Sequence, residues 1–125
     1  MEAACRGAKA AGGTTVGRLP GNDPSTSNPW VDVPVCTGLG YARNAIVVKS
    51  GRAVIAVGGA YGTLSEIGYA LAEGISVIGL KTWQLSREGA TDCSIVVATG
   101  TKDAVDKAME AAQPRVRTGI EEAFQ

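Results

Sequence analysis

The spacing of apolar residues along the chain alternates between helical and extended patterns. Residues Glu2–Ala11 carry alanines at helical spacing, whereas Ala53–Val57 (AVIAV) is an unbroken apolar run that predicts a strand buried on both faces. The other elements predicted are a strand over Thr14–Leu19, a loop over Pro20–Pro34, a helix over Gly40–Ser50, a helix that follows GGAYGT and ends at Gly74, strands over Ile75–Leu80 and Ser94–Ala98, and a helix capped by Thr101 that runs to Ala112.

This alternation of strands and helices predicts parallel pairing through right-handed crossover connections. We therefore expect an α/β fold, a three-layer, Rossmann-like doubly wound parallel sheet with Ala53–Val57 as a central strand. The 125 residues match the length of one domain, so residues 1–125 are expected to form a single domain with residues 113–125 as a flexible tail.

Composition narrows the classes of function. Twelve basic and twelve acidic residues cancel without any run of like charge, so we expect neither a nucleic-acid partner nor a membrane surface. The cysteines are three in number, widely spaced and outside any C-x-x-C pair, which favours a reducing cytoplasm over a disulfide framework. Histidine is absent, and we expect no metal site built from protein ligands.

The segment GGAYGT, Gly58 to Thr63, directly follows the predicted strand Ala53–Val57. Glycines allow a sharp turn and a close approach of backbone N–H groups to an anion, and the positive end of the following helix adds to the attraction. The segment is not a Walker A loop, because no lysine precedes the threonine, and the G-x-G at Gly38 and Gly40 lacks the third glycine of a dinucleotide fingerprint. We interpret Gly58–Thr63 as an anion-binding loop.

Glu66 has two possible roles on local evidence. Thr63-Leu64-Ser65-Glu66 fits a capping box, in which Thr63 accepts from the N–H of Glu66 and the glutamate reaches back to the N–H of Thr63. A carboxylate near a helix start is also aimed at whatever the preceding loop binds. Both roles stay open at this point.

Other polar and aromatic residues are less informative. Arg43, in TGLGYARN, is equally consistent with a solvated helix residue and with a guanidinium group that binds phosphate. Lys81 has no comparable context, and core or interface packing is expected for Trp83 before stacking on a flat ligand.

These motifs resemble a known superfamily. GGAYGTLSE, together with LPGNDPSTSNP and TGLGYARN, resembles the P-G-G-x-G-T-x-x-E superfamily of Lonely Guy phosphoribohydrolases and molybdenum cofactor carrier proteins, often labelled "lysine decarboxylase-like". The details look closest to the cofactor carrier branch. Two departures are mild, since Gly58 stands where the pattern has proline and Ala60 where it has glycine.

The resemblance implies binding of a phosphorylated small molecule, either an AMP-like nucleotide or molybdenum cofactor, with no other cofactor required. The cofactor-binding residues it implies are Gly58, Gly59, Gly62, Thr63, Thr37 and Asn44. The alternative is a nucleoside 5′-monophosphate phosphoribohydrolase in which Arg43 and Glu66 cleave the N-glycosidic bond. Lysine decarboxylation is not predicted, because no lysine has a context that suits a pyridoxal Schiff base.

The resemblance also bears on the start of the chain and on assembly. Family members normally begin with two strands, each followed by a glycine-rich turn and a helix, and Glu2–Ala11 resembles the second of these helices. We therefore expect an N-terminally truncated member of the family. The resemblance further implies a homodimer or a higher homo-oligomer.

Overall fold

The computed structural model describes residues 1–114, which fall into two compact units that divide between Ser50 and Gly51. The single-domain organisation stays a prediction. The elements are α1 (Glu2–Ala10), β1 (Val16–Leu19), β2 (Val33–Cys36), α2 (Arg43–Lys49), β3 (Ala53–Val57), α3 (Tyr61–Ala72), β4 (Ser76–Leu80), β5 (Leu85–Arg87), β6 (Ala90–Asp92), β7 (Ile95–Val97) and α4 (Thr101–Ala111). None of the helices within residues 1–114 has the length and apolar character needed to cross a bilayer.

The first unit contains a parallel pair of strands, β1 and β2. The sequence predicted a loop as far as Pro34, but β2 begins at Val33, so the end of the predicted loop is wrong. Pro34 lies within β2 opposite Gly17, and proline is tolerated there because β2 is an edge strand of a two-stranded sheet. The carboxyl ends of β1 and β2 therefore lie side by side.

An ion pair holds the start of this pair of strands. The Asp32 carboxylate accepts a hydrogen bond from the Thr15 backbone N–H at 2.9 Å and pairs with Lys9 Nζ at 2.9 Å. These contacts, the Thr15 N–H first, hold the pKa of Asp32 below its usual value. The charge therefore stabilises the junction between α1 and the first sheet.

The second unit is built on a parallel three-stranded sheet in the order β3-β4-β7. β4 is central, and its buried Ile78 packs with Ala104 and Ala108 of α4. The expectation that β3 would be the central strand is wrong for the described sheet. β3 is its edge, and Ile55 and Val57 are 40% and 63% exposed although the apolar run had suggested burial on both faces.

A short antiparallel hairpin, β5 with β6, was not predicted. Its two turn residues, Glu88 and Gly89, have φ values of 50° and 79°, which is the left-handed pair typical of a tight hairpin turn. Both strands are only three residues long and mostly exposed, so they lack the apolar alternation that reveals a strand in the sequence. Even with this hairpin, the predicted α/β class with parallel strands is confirmed.

The start of α4 differs from the prediction in its cap. Thr101 is the first helical residue, and the N-cap is Gly100, which makes no side-chain capping bond. Asp103 takes that role, because its carboxylate accepts from the Thr99 backbone N–H at 2.9 Å and also pairs with Lys107 at 2.9 Å. The helix ends at Ala111, one residue before the predicted end, and most of the predicted tail, 113–125, lies outside the described residues.

The contacts of Asp103 predict a specific dependence of stability on pH. Its hydrogen bonds to Lys107 and to the Thr99 N–H lower the pKa of Asp103 in the folded state. The stabilisation is therefore present above the unfolded-state pKa and is lost as pH falls through the folded-state pKa, below about pH 4. We expect Asp103→Asn to be less stable than wild type at pH 7, with the difference becoming smaller as pH falls towards 2, measured by urea unfolding.

The matched control for this prediction is Asp106→Asn. Asp106 forms an i,i+4 pair with Lys102 on the same helix, but both side chains are largely exposed, so its loss should change stability little. A difference between Asp103→Asn and wild type that stayed constant from pH 7 to pH 2 would contradict the role of the Asp103 carboxylate.

Candidate functional site

The residues predicted to form the site fall in both units. Gly58, Gly59, Gly62, Thr63 and Glu66 lie in the second unit, and Thr37, Arg43 and Asn44 lie in the first.

The predicted anion-binding loop joins β3 to α3. Gly58 and Gly59 have φ values of 52° and 94°, in the left-handed region that favours glycine. A Cβ atom on Gly59 would overlap Oγ1 and Cβ of Thr63 and lie 2.7 Å from its Cγ2. Gly59 is therefore required both by its backbone conformation and by the side chain that packs over it.

The position at which α3 begins shows whether Glu66 can take part in a capping box. α3 begins at Tyr61 after the N-cap residue Ala60, which makes no side-chain capping bond. Thr63 is thus the third residue of the helix, and Glu66 lies in its second turn, half-buried. The predicted capping box is wrong, because the left-handed glycines allow the helix to begin two residues before Thr63.

Residues that follow β4 hold the loop in place. The hydroxyl of Thr82 donates to the carbonyl oxygen of Gly58 at 2.6 Å, and the indole N–H of Trp83 donates to the carbonyl oxygen of Ala60 at 3.1 Å. The ring of Trp83 also lies 5.7 Å from that of Tyr61, measured between centroids. The loop carbonyls are thereby fixed on the side that faces residues 82 and 83.

A pocket of about 630 Å³ lies beside the loop. It is lined by Gly58 and Gly59, by residues 81–84, and by Gly79 and Val97 from the ends of β4 and β7. Among these lining residues Lys81 is the one charged side chain, and none is a carboxylate. Ligands of open α/β sheets bind at the carboxyl ends of strands, which is where this pocket lies.

In the first unit, two of the predicted residues bind the end of β1. The Thr37 hydroxyl donates to the carbonyl oxygen of Leu19 at 2.6 Å, and Nη1 of Arg43 donates to the carbonyl oxygen of Arg18 at 3.0 Å. Nε of Arg43 is buried with no hydrogen-bond partner among residues 1–114. Asn44 is buried on α2. Thr37 and Arg43 therefore have structural roles in this unit, whatever else they bind.

Lys81, Thr82 and Gln84 were missed as site residues, and Trp83 was expected to be buried in a core or an interface. Their position in the chain indicates a role at the site, because they directly follow β4, the strand that pairs in parallel with β3. Pairing of these strands brings the residues after β4 beside the residues after β3. A search of every segment that follows a predicted strand would have found them.

The bond from Thr82 gives a test of how the loop is held. We expect Thr82→Val, which keeps the shape but removes the hydroxyl, to lower the free energy of unfolding by about 1–2 kcal/mol, because the Gly58 carbonyl loses its donor. Urea unfolding measures the change. The control is Thr91→Val on the exposed strand β6, which should change stability by less than about 0.5 kcal/mol. Equal effects of the two substitutions would show that the Thr82 bond does not stabilise the loop.

Comparison with known proteins identifies the family. A model of the SLOG cluster4 family matches residues 1–116. The chain belongs to the SLOG cluster4 family. Among solved structures, the molybdenum cofactor binding protein from the phototrophic bacterium Rippkaea orientalis is 33% identical, with a TM-score of 0.76 over 88% of this chain and 69% of that chain. The Moco carrier protein from Chlamydomonas reinhardtii is 36% identical, with a TM-score of 0.74 over 89% of this chain and 69% of that chain.

A curated relative matches this SLOG chain over part of both proteins. An uncharacterised protein from Archaeoglobus fulgidus is 48% identical over 81 residues, which cover 65% of this chain and 53% of that protein. The chain thus aligns with about half the length of this relative. The predicted likeness to molybdenum cofactor carriers is confirmed, as is the Rossmann-like fold class.

The acidic side chains that the structure describes in this SLOG chain lie apart from the pocket lining. Within residues 1–114 no group of three or more His, Cys, Asp or Glu side chains is placed to hold a metal ion. Hydrogen bonds, from Ser25 to Asp23 and from Ser94 to Asp92, lower the pKa values of both carboxyls. Neither aspartate lines the pocket. The lowered pKa values of Asp23 and Asp92 therefore result from local hydrogen bonds and do not indicate a binding site.

Proposed function

We propose that this SLOG cluster4 chain binds a phosphorylated small molecule at Gly58–Thr63 in the manner of a cofactor carrier, with molybdenum cofactor as its cargo. The observation that carries the proposal is the pocket beside the loop, which is lined by two left-handed glycines and by Lys81, a lysine that forms no ion pair within residues 1–114. As the chain spans about half of the curated relative, the activity and partners of a whole protein are part of this proposal.

The chemistry of the loop suits an anionic group. The first N–H groups of α3 have no acceptor inside the helix, and the helix dipole makes this end positive. Gly58 and Gly59 allow a ligand to approach the backbone without a side chain in between. Residues 82 and 83 bind the carbonyl oxygens of Gly58 and Ala60, and the Gly58 N–H donates to the carbonyl oxygen of Leu80 at 3.1 Å, so the conformation of the loop is fixed before a ligand binds.

The related structures support a carrier over other ligand-binding proteins. Their printed descriptions are a molybdenum cofactor binding protein and a Moco carrier protein, and each aligns with most of this chain. A carrier must hold its cargo without chemical change, and the described pocket lining has no carboxylate or cysteine. Of the predicted binding residues, Gly58, Gly59, Gly62 and Thr63 are proposed as direct ligands, and the binding roles of Thr37 and Asn44 stay predictions.

The phosphoribohydrolase alternative rests on Arg43 and Glu66. One observation favours it, namely the buried Arg43 Nε that has no partner among the described residues, since such donors usually serve a purpose. Release of adenine from AMP by wild type, lost in Glu66→Ala, would favour the hydrolase over the carrier.

The direct test of the carrier is retention of its cargo. The protein is mixed with molybdenum cofactor and passed through a gel-filtration column, and molybdenum and pterin fluorescence are measured in the protein peak. We expect both to elute with wild type in equal molar amounts and to be displaced by AMP. A protein peak without molybdenum or pterin, from a sample with a cooperative unfolding transition, would contradict the carrier function.

Two further parts of the proposal concern the surroundings of the protein. A cytoplasmic location and a homodimer or higher homo-oligomer are proposed from the likeness to carriers. Light scattering on the eluted peak measures the oligomer in the same experiment, with and without cargo.

A further inference from the structure

Lys81 occupies an unusual position at the end of β4. It is the first residue after the strand, its φ is 50°, and it lines the pocket together with Gly58 and Gly59. The left-handed region is uncommon for residues with a Cβ atom. The position would suit glycine, and a lysine occupies it instead.

The hydrogen bonds of the neighbouring residues distinguish Lys81 from the rest of the lining. Thr82 and Trp83 use their side-chain donors on the carbonyl oxygens of Gly58 and Ala60. Their donors are therefore committed to the loop. Lys81 and Gln84 are the remaining lining side chains with polar groups, and of these two only Lys81 is charged.

The charge of Lys81 is not neutralised within the described part of the chain. Lys9, Lys102 and Lys107 each form an ion pair with an aspartate. Lys81 forms no ion pair with any residue of 1–114, and its side chain is exposed. An ammonium group without a carboxylate partner, on a pocket wall without carboxylates, attracts an anionic group of a ligand.

We infer that Lys81 binds the anionic group of the ligand in this pocket and determines the preference for a phosphorylated over an unphosphorylated ligand. The inference rests on the proposed function, since it concerns the same pocket. The lysine supplies a point charge on one side of the anion, and the loop amides supply hydrogen bonds on the other.

The conformation of Lys81 makes an informative variant available. Lys81→Gly removes the ammonium group and also suits a φ of 50°, so the fold should be retained or stabilised. Lys81→Arg keeps the charge in the same backbone conformation. Lys102→Gln is the control, because it removes a positive charge from α4, away from the pocket lining.

The experiment compares AMP with adenosine, which lacks the phosphate, by calorimetry on the full chain and its variants. We expect wild type to prefer AMP, and Lys81→Gly to lose roughly tenfold or more in AMP affinity with adenosine affinity unchanged. Lys81→Arg and Lys102→Gln should keep the preference. The melting temperature of Lys81→Gly should equal or exceed that of wild type.

The possible outcomes separate this inference from the proposed function. If wild type binds AMP or molybdenum cofactor and Lys81→Gly binds it equally well, the inference is wrong and the proposed function stands. Equal losses for AMP and adenosine would also contradict it, because they would indicate a role in the shape of the pocket. If wild type binds neither AMP nor the cofactor, both proposals are wrong.

Discussion

Replacement of Gly59 by alanine is expected to lower the free energy of unfolding by about 3 kcal/mol. Two effects add. A residue with a Cβ atom is strained at a φ of 94°, and the new methyl group would overlap the side chain of Thr63. Thr63 cannot rotate away, because its own Cβ, fixed by α3, is among the overlapping atoms. Urea unfolding of the variant measures the loss.

The neighbouring glycine provides the matched control. Gly58 is also left-handed, with a φ of 52°, but the nearest atom to its Cβ position is the Lys81 carbonyl oxygen at 4.0 Å. Gly58→Ala should therefore carry the backbone strain alone and cost about 1–2 kcal/mol. Gly59→Ala should also reduce ligand binding more strongly than Gly58→Ala. Equal costs for the two substitutions would show that Thr63 does not pack over Gly59 as described.

Replacement of Ile78 by alanine is expected to cost about 3 kcal/mol, because it removes a large side chain from the centre of the second unit. Ile78 is 1% exposed on the central strand β4 and packs against Ala104 and Ala108, which are too small to fill the cavity. Since β4 leads directly into residues 81–84, loss of its packing should weaken the pocket as well. Chemical unfolding and calorimetry of AMP binding measure the two effects.

The control for Ile78 is its register partner on the next strand. Val96 lies opposite Ile78 in the parallel pairing of β4 with β7 but is 45% exposed. Val96→Ala should cost about 1 kcal/mol or less, because little of its surface is removed from water. A cost for Ile78→Ala no larger than that for Val96→Ala would contradict the placement of β4 at the centre of the core.

Elements with strong apolar periodicity were predicted from the sequence. Strands that are recognised only by their pairing with another strand were missed. Ala53–Val57 was predicted with its observed bounds, because an unbroken apolar run bounded by glycines has few other interpretations. Pro34 interrupts the apolar run of β2 and argues against a strand there, and the β5–β6 hairpin is short and exposed, so it lacks apolar alternation. The order of strands is likewise a property of pairing, which is why the central position was assigned to β3 instead of β4.

In the candidate site, the local sequence was sufficient to predict the glycine loop but not the residues that surround it. Three glycines within GGAYGT indicated the turn, and the left-handed φ values of Gly58 and Gly59 agree with it. Lys81 and Trp83 lie about twenty residues further along the chain and reach the loop only because β3 and β4 pair. The capping interpretation of Glu66 failed since a four-residue motif does not reveal where the helix begins.

The loop Gly58–Thr63 and residues 81–84 are proposed to bind the phosphorylated ligand together. An amide nitrogen–proton NMR titration of the full chain with AMP tests this proposal most directly, because it reports on each backbone N–H separately. We expect the largest shifts on Gly58–Thr63 and on Lys81, with smaller shifts in α4. Largest shifts in the β5–β6 hairpin or in α4, with the loop amides unchanged, would contradict it.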